Sequence, residues 1–81
     1  MQVTVRYFAA HKAAAGVAEE VLQVADGMSV GELLEEVARL HPALRSLRED
    51  TLVSVNKGLG PADLRLNDGD DVVLFPPISG G

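Results

Sequence analysis

The sequence predicts a two-layer α+β domain in which one main helix packs on a mixed sheet of four to five strands. Three observations predict it. Runs with a two-residue apolar period lie at both ends of the chain, and one amphipathic run of helical period lies between them. The 81 residues, 47% hydrophobic with 11 valines and 11 leucines, suffice for one small core and no second one. No internal repeat, low-complexity stretch or linker divides the chain.

Val3, Val5 and Tyr7 alternate with Gln2, Thr4 and Arg6, the pattern of a first strand with one buried face. Phe8 breaks the parity, because it falls on the face of Thr4 and Arg6, where an unbroken strand leaves a large apolar side chain toward solvent. Ala9 to Ala18 is small and weakly polar with a turn at Gly16, so it reads as a loop; the run Ala13-Ala14-Ala15 leaves a short helical turn open within it. Glu19 to Val24 supplies a second strand. After the Asp26-Gly27 turn, Ser29 and Glu32 match a capping box, in which each side chain satisfies a free backbone donor of the other. Val30, Leu33, Leu34, Val37 and Leu40 then recur at helical spacing, with Glu32, Glu35, Glu36 and Arg39 outside the stripe.

Pro42 disfavours helical geometry at His41, so the helix ends there. Ala43 to Asp50 is mixed, an irregular segment anchored by Leu44 and Leu47. Leu52 to Val55 predicts a third strand and Leu59 a very short edge strand inside the glycine-rich Lys57-Gly58-Leu59-Gly60-Pro61. Asn67-Asp68-Gly69-Asp70 is a compact turn, and Asp71 to Phe75 is the last strand, stopped by proline. This order fits the β-grasp version of the α+β class, with the first and last strands side by side and parallel at the centre of the sheet.

Composition excludes several functions. Without cysteine the chain has no disulfide framework, thiolate zinc site, cysteine-ligated iron–sulfur cluster or cysteine nucleophile, and its two histidines suggest no metal site. Seven basic against twelve acidic residues, a net charge of -5, oppose binding to nucleic-acid phosphates and suit a basic protein partner better. Met1 to Ala10 alternates charged and apolar residues and lacks the apolar run of a signal peptide or membrane anchor, so the expected location is the cytoplasm, with no membrane partner.

The chemistry is concentrated in Phe75-Pro76-Pro77-Ile78-Ser79-Gly80-Gly81. Pro76 and Pro77 fix φ and lack amide donors, so residues 76–81 leave the 1–75 domain as a stiff, extended tail. Gly80 and Gly81 carry no side chains, which lets the backbone pass through a channel too narrow for other residues. The carboxylate of Gly81 is unreactive until activated, and adenylation by ATP is the common biological route. A sulfur nucleophile then converts the acyl adenylate to a thiocarboxylate.

On Phe8-Ala9, Val55-Asn56, Leu66-x-Asp68-Gly69-Asp70 and the Phe-Pro-Pro to Gly-Gly ending, the chain resembles the ubiquitin-like sulfur-carrier family over essentially its whole length. The Pro-Pro pair points to the branch of molybdopterin synthase small subunits over the thiamin branch. The resemblance implies a β-grasp fold, adenylation of Gly81 by an enzyme of the ubiquitin-activating type that uses ATP, and sulfur delivery to a cyclic pyranopterin monophosphate in the large synthase subunit. It implies a heterotetramer with that subunit, no permanently bound cofactor, and a carrier that is not itself catalytic. Pro76, Pro77, Ile78, Ser79 and Gly80 would thread into the partner, and Phe8, Leu59 and Phe75 match apolar contacts to it. Related recipients are thiamin, cysteine or transfer-RNA thiolation, or protein lysines.

Plainer readings stand beside these. Phe8 and Phe75 form one exposed patch by the tail, or both join the core if the first strand ends in a parity-reversing bulge. His11 reads as solvated, and His41 as a favourable charge at the helix end. Glu35 and Arg39 are spaced for an i,i+4 pair. Asp63, Asp68, Asp70 and Asp71 are turn residues or a docking surface for a basic partner. Lys57 reads as a surface lysine.

Overall fold

The computed structural model of the chain describes residues 1–77. In order it forms β1 (Gln2–Tyr7), α1 (Ala10–Ala15), β2 (Glu19–Gln23), α2 (Val30–Leu40), a run of 3-10 turns (Pro42–Asp50), β3 (Leu52–Val55), β4 (Gly58–Leu59) and β5 (Asp71–Phe75). The sheet order is β2-β1-β5-β3-β4, with β1 and β5 parallel and every other pair antiparallel. The expected β-grasp arrangement with the terminal strands central is therefore present. A parallel pair needs a long crossover, and here the whole segment between β1 and β5 supplies it.

The inward residues of the two central strands, Val3, Val5, Tyr7, Val72 and Leu74, are all essentially inaccessible. Against them α2 places Val30, Leu33 and Val37, joined by Leu66 and by Leu44 of the 3-10 turns. Leu40, expected in the stripe, is 41% exposed, and Ala38 is buried instead. The apolar face is centred nearer Ala38, leaving Leu40 on its flank.

The capping box forms as expected: the Glu32 amide donates to Ser29 Oγ at 3.1 Å, and the Ser29 amide donates to Glu32 Oε1 at 3.0 Å. The next two amides of the helix start, Val30 and Gly31, donate to the carbonyls of Leu64 and Ala62. Gly31 is needed for that approach, since a Cβ there would lie 3.2 Å from the Ala62 oxygen. The alanine run does become helix, as α1, ended by Gly16 at φ 78. The segment read as irregular after Pro42 is more regular than expected, because proline at its start suits a tight helical turn and Leu44 turns into the core.

Candidate functional site

With α2 covering one face of the sheet, the other face is bare, and strand register decides which side chains share it. Leu52 pairs with Phe75, and Tyr7 pairs with Leu74. One further step of the parallel register brings Phe8 beside Phe75, and the Phe8 amide donates to the Leu74 carbonyl at 3.2 Å. On the other side, Arg6 pairs with Glu19 and the Tyr7 amide donates to Ala18, so the next step sets Val17 beside Phe8. The row where β5 runs out is thus Val17, Phe8, Phe75 and Leu52. Phe8 is 54% exposed, Val17 and Leu52 are also exposed, and Phe75 is half-buried. Leu59, on the edge strand opposite Ser54, is 91% exposed.

The neighbouring row is polar apart from one valine: Glu19, Arg6, Val73 and Ser54. Arg6 donates from Nε to Asp71 at 2.8 Å and lies 3.9 Å from Glu19. On the bare face the Arg6 ion pairs therefore directly adjoin the apolar row at the end of β5, while the rows beyond them carry Thr4 with the exposed Val21 and then Gln2 with Gln23. An apolar patch of this kind marks a surface suited to a protein partner.

The core reading of Phe8 is overturned. No bulge reverses the parity; the chain leaves the sheet at Ala9, whose φ of 52° and ψ of -125° belong to the first central position of a mirror-image turn. The His11 amide closes that turn on the Phe8 carbonyl at 3.0 Å. Leu59 and Phe75 also border a mostly apolar groove of about 460 Å³ with Val30, Leu34, Leu52 and Pro61. Phe8 does not line it. The sequence reading missed Leu52 and Val17. Parity with the polar Ser54 signalled Leu52, whereas only the pairing of β1 with β2 reveals Val17.

Several other expectations change. His11 is not solvated; it is 1% exposed, with Nε2 2.7 Å from Thr51 Oγ1. His41 stands at the helix end, as its C-cap, and also has a side-chain partner. Its Nε2 lies 2.6 Å from Glu20 Oε2, the oxygen that also accepts from the Tyr7 hydroxyl at 2.6 Å. Burial first, and the adjacent Glu20 second, push the Tyr7 phenol well above its ordinary range. Arg39 pairs with Glu36 at i,i+3, not with Glu35, which meets Arg48 across the fold. Arg65 approaches Glu32 at 3.1 Å, so each glutamate of α2 faces an arginine. Of the acidic group, Asp68 accepts from the Gln2 amide and Asp70 from Asn56 and the Asn67 amide, which favours the turn reading for these two, whereas Asp71 opens β5 and accepts from Arg6 on the sheet face.

Among the described residues, no group of three or more histidines and carboxylates is placed to hold a metal, and no helix is long and apolar enough to cross a membrane. Pro76 is half-buried and Pro77 exposed beyond the end of β5. Ile78, Ser79, Gly80 and Gly81 lie outside the described residues.

Residues 5–81 match the ThiS family. The chain belongs to that family. Its relatives include the molybdopterin synthase sulfur carrier subunit of Chlamydomonas reinhardtii, 39% identical with 100% of both chains covered. Among solved structures, a putative molybdopterin converting factor, subunit 1, from Pyrococcus furiosus superposes with a TM-score of 0.88 at 32% identity, covering 96% of this chain and 99% of that one. The small archaeal modifier protein 1 of Haloferax volcanii gives a TM-score of 0.86 at 26% identity, with 95% and 98% covered. In this ThiS-family chain the matched span takes in Phe8, Leu59, Phe75 and the whole glycine-ended tail.

Proposed function

We propose that this chain is the sulfur-carrier subunit of a molybdopterin synthase, acting in molybdenum cofactor synthesis. The observation that carries the reading is the apolar row Val17, Phe8, Phe75 and Leu52, set where β5 hands the chain to Pro76-Pro77. A partner seated on that row receives the tail directly. The relative named as a sulfur carrier subunit, alike from end to end, supports the pathway.

In this reading the Gly81 carboxylate attacks the α-phosphorus of ATP on an activating enzyme, releasing diphosphate and forming the acyl adenylate. A hydrosulfide equivalent then displaces AMP and leaves the thiocarboxylate. The large synthase subunit binds Phe8, Leu59 and Phe75, admits Pro76, Pro77, Ile78, Ser79 and Gly80 as a thread, and supplies the catalytic groups. Residues 1–75 form the docking domain and residues 76–81 the arm. The carrier works in the cytoplasm, in a heterotetramer with the large subunit, and keeps no cofactor of its own.

Intact-mass measurement after incubation with ATP, a sulfide donor and the activating enzyme tests this. The expected result is a mass gain equal to exchange of one oxygen for sulfur, absent when Gly81 is deleted. Its absence from the wild-type chain overturns the reading. The likeness to an archaeal modifier favours one alternative, attachment of Gly81 to protein lysines. Consumption of the thiocarboxylate by large subunit and pterin supports the first reading, and accumulation of lysine conjugates supports the second.

A further inference from the structure

The helix α1 lies between two residues of the apolar row: Phe8 precedes its start and Val17 follows its end. Little holds it down. A six-residue helix is too short to be stable alone. Its N-cap, Ala9, makes no side-chain capping hydrogen bond and sits at a positive φ that L-residues adopt at a cost. The buried side chains that anchor it are Ala15 and His11.

His11 is the polar anchor, and its partner decides that Nε2 carries a proton. The Thr51 hydroxyl donates to the Leu47 carbonyl at 2.8 Å, so its oxygen accepts from His11 Nε2. In the neutral ring Nδ1 is then bare, and that atom is buried with no hydrogen-bond partner. The void beside the ring is about 10 Å³, room for one water at most. It is bordered by Leu34, Val37 and Ala38 of α2, Leu44 and Arg48 of the 3-10 turns, and Leu74 of β5. Among the described residues Arg48 carries the only charge there, and it is paired with Glu35. On α1 itself Lys12 is exposed, and on β1 the Tyr7 hydroxyl is committed to Glu20. Among the described residues, no carboxylate borders this void to receive a second N–H.

We infer that His11 is an acid-released latch: its protonation undocks α1 and thereby disturbs the Phe8 and Val17 end of the bare sheet face. The cation needs both solvent and an acceptor for Nδ1–H, and the packed site offers neither unless α1 moves. Burial accordingly lowers the pKa of His11 from its ordinary value. The folded ring thus holds its proton less tightly than the unfolded one, so the docked helix is most stable above the unfolded pKa, near 6.5, and loses stability as pH falls below it.

The test is amide hydrogen exchange on the full chain from about pH 7.5 to about pH 5, corrected for intrinsic rates, with the histidine ring resonances followed in the same samples. The expected result is that opening of the α1 amides increases by up to about tenfold per pH unit below about 6.5. Amides of β5 should change much less, and the Phe8 ring resonances should shift together with α1. In His11→Gln, whose amide still donates to Thr51 but does not titrate, the pH dependence should vanish. The inference is overturned if α1 exchange and the Phe8 resonances are flat over that range, if β5 opens in step with α1, or if His11→Gln keeps the wild-type slope. Should His11→Gln fail to fold, the wild-type series decides by itself.

Discussion

The side-chain amide of Asn56 donates to Oδ1 of Asp70 at 2.9 Å, tying the end of β3 to the turn before β5. Asp70 is 8% exposed, and its second oxygen accepts from the Asn67 amide at 2.8 Å. Asn56 in turn accepts from the Asp71 amide at 2.9 Å. These bonds account for two sequence motifs, Val55-Asn56 and Leu66-x-Asp68-Gly69-Asp70, at the end of the sheet opposite the tail. They fix where β5 begins, and so where it delivers Phe75.

Removing Asn56 leaves Oδ1 of the buried Asp70 without its partner, and removing Asp70 takes the acceptor from both the Asn56 side chain and the Asn67 amide. Asp70→Ala and Asn56→Ala are each expected to lower stability by about 1–3 kcal/mol in urea denaturation. The double variant should cost less than the sum of the two, because the groups belong to one network. Full additivity would show that they act independently.

The exposed row should matter for binding and not for folding. Phe8→Asp and Leu59→Asp replace side chains that are largely in solvent, so stability should stay within about 0.5 kcal/mol of the parent chain. Affinity for the synthase large subunit, measured by calorimetry, should fall by about tenfold or more. Unchanged affinity in both variants would remove this face from the interface.

The hairpin between β3 and β4 turns through Asn56 at φ 50 and Lys57 at φ 71. Both angles suit a two-residue mirror-image turn that glycine adopts freely and lysine does not. Lys57→Gly should therefore raise stability by about 0.5–1 kcal/mol. Asn56→Gly should lower it, although the backbone there has the same handedness, because the amide to Asp70 is lost.

Tyr7 is the single tyrosine of the chain, which makes its ionisation readable by ultraviolet absorbance. Burial and Glu20 hold the folded phenol well above its ordinary value, so the neutral form is favoured in the fold. A raised folded pKa contributes stability below the unfolded value, near 10, and that contribution is lost as pH rises past it. Phenolate should accordingly appear only together with the loss of near-ultraviolet circular dichroism. Smooth titration near pH 10 in a chain that stays folded would contradict the buried Tyr7–Glu20 hydrogen bond.

Much of this was legible in single residues and short spacings. The period of two in Val3, Val5 and Tyr7, the capping pair Ser29 and Glu32, and the stop at Pro42 each express a local rule, so α2 and the central strands were placed correctly. The parity of Phe8 against Thr4 and Arg6 identified an outward apolar side chain before any fold was known. Local rules failed where partners come from far along the chain. His11 looked solvated because its neighbours in sequence are polar or small, yet its hydrogen-bond partner, Thr51, lies 40 residues away. Glu35 had a neighbour at the right helical spacing, yet Arg48 reached it from the next segment.

The sequence by itself determined the periodicities, the boundaries of α2 and the proline stop after β5, because each depends on φ preferences and side chains within a few residues. The tertiary structure decided which of these meet. Placing β5 between β1 and β3 brought Phe8, Phe75 and Leu52 into one row and set His11 in the core beside Thr51. Register is a property of paired strands, and burial is a property of the whole packed chain, so neither is written in any one segment.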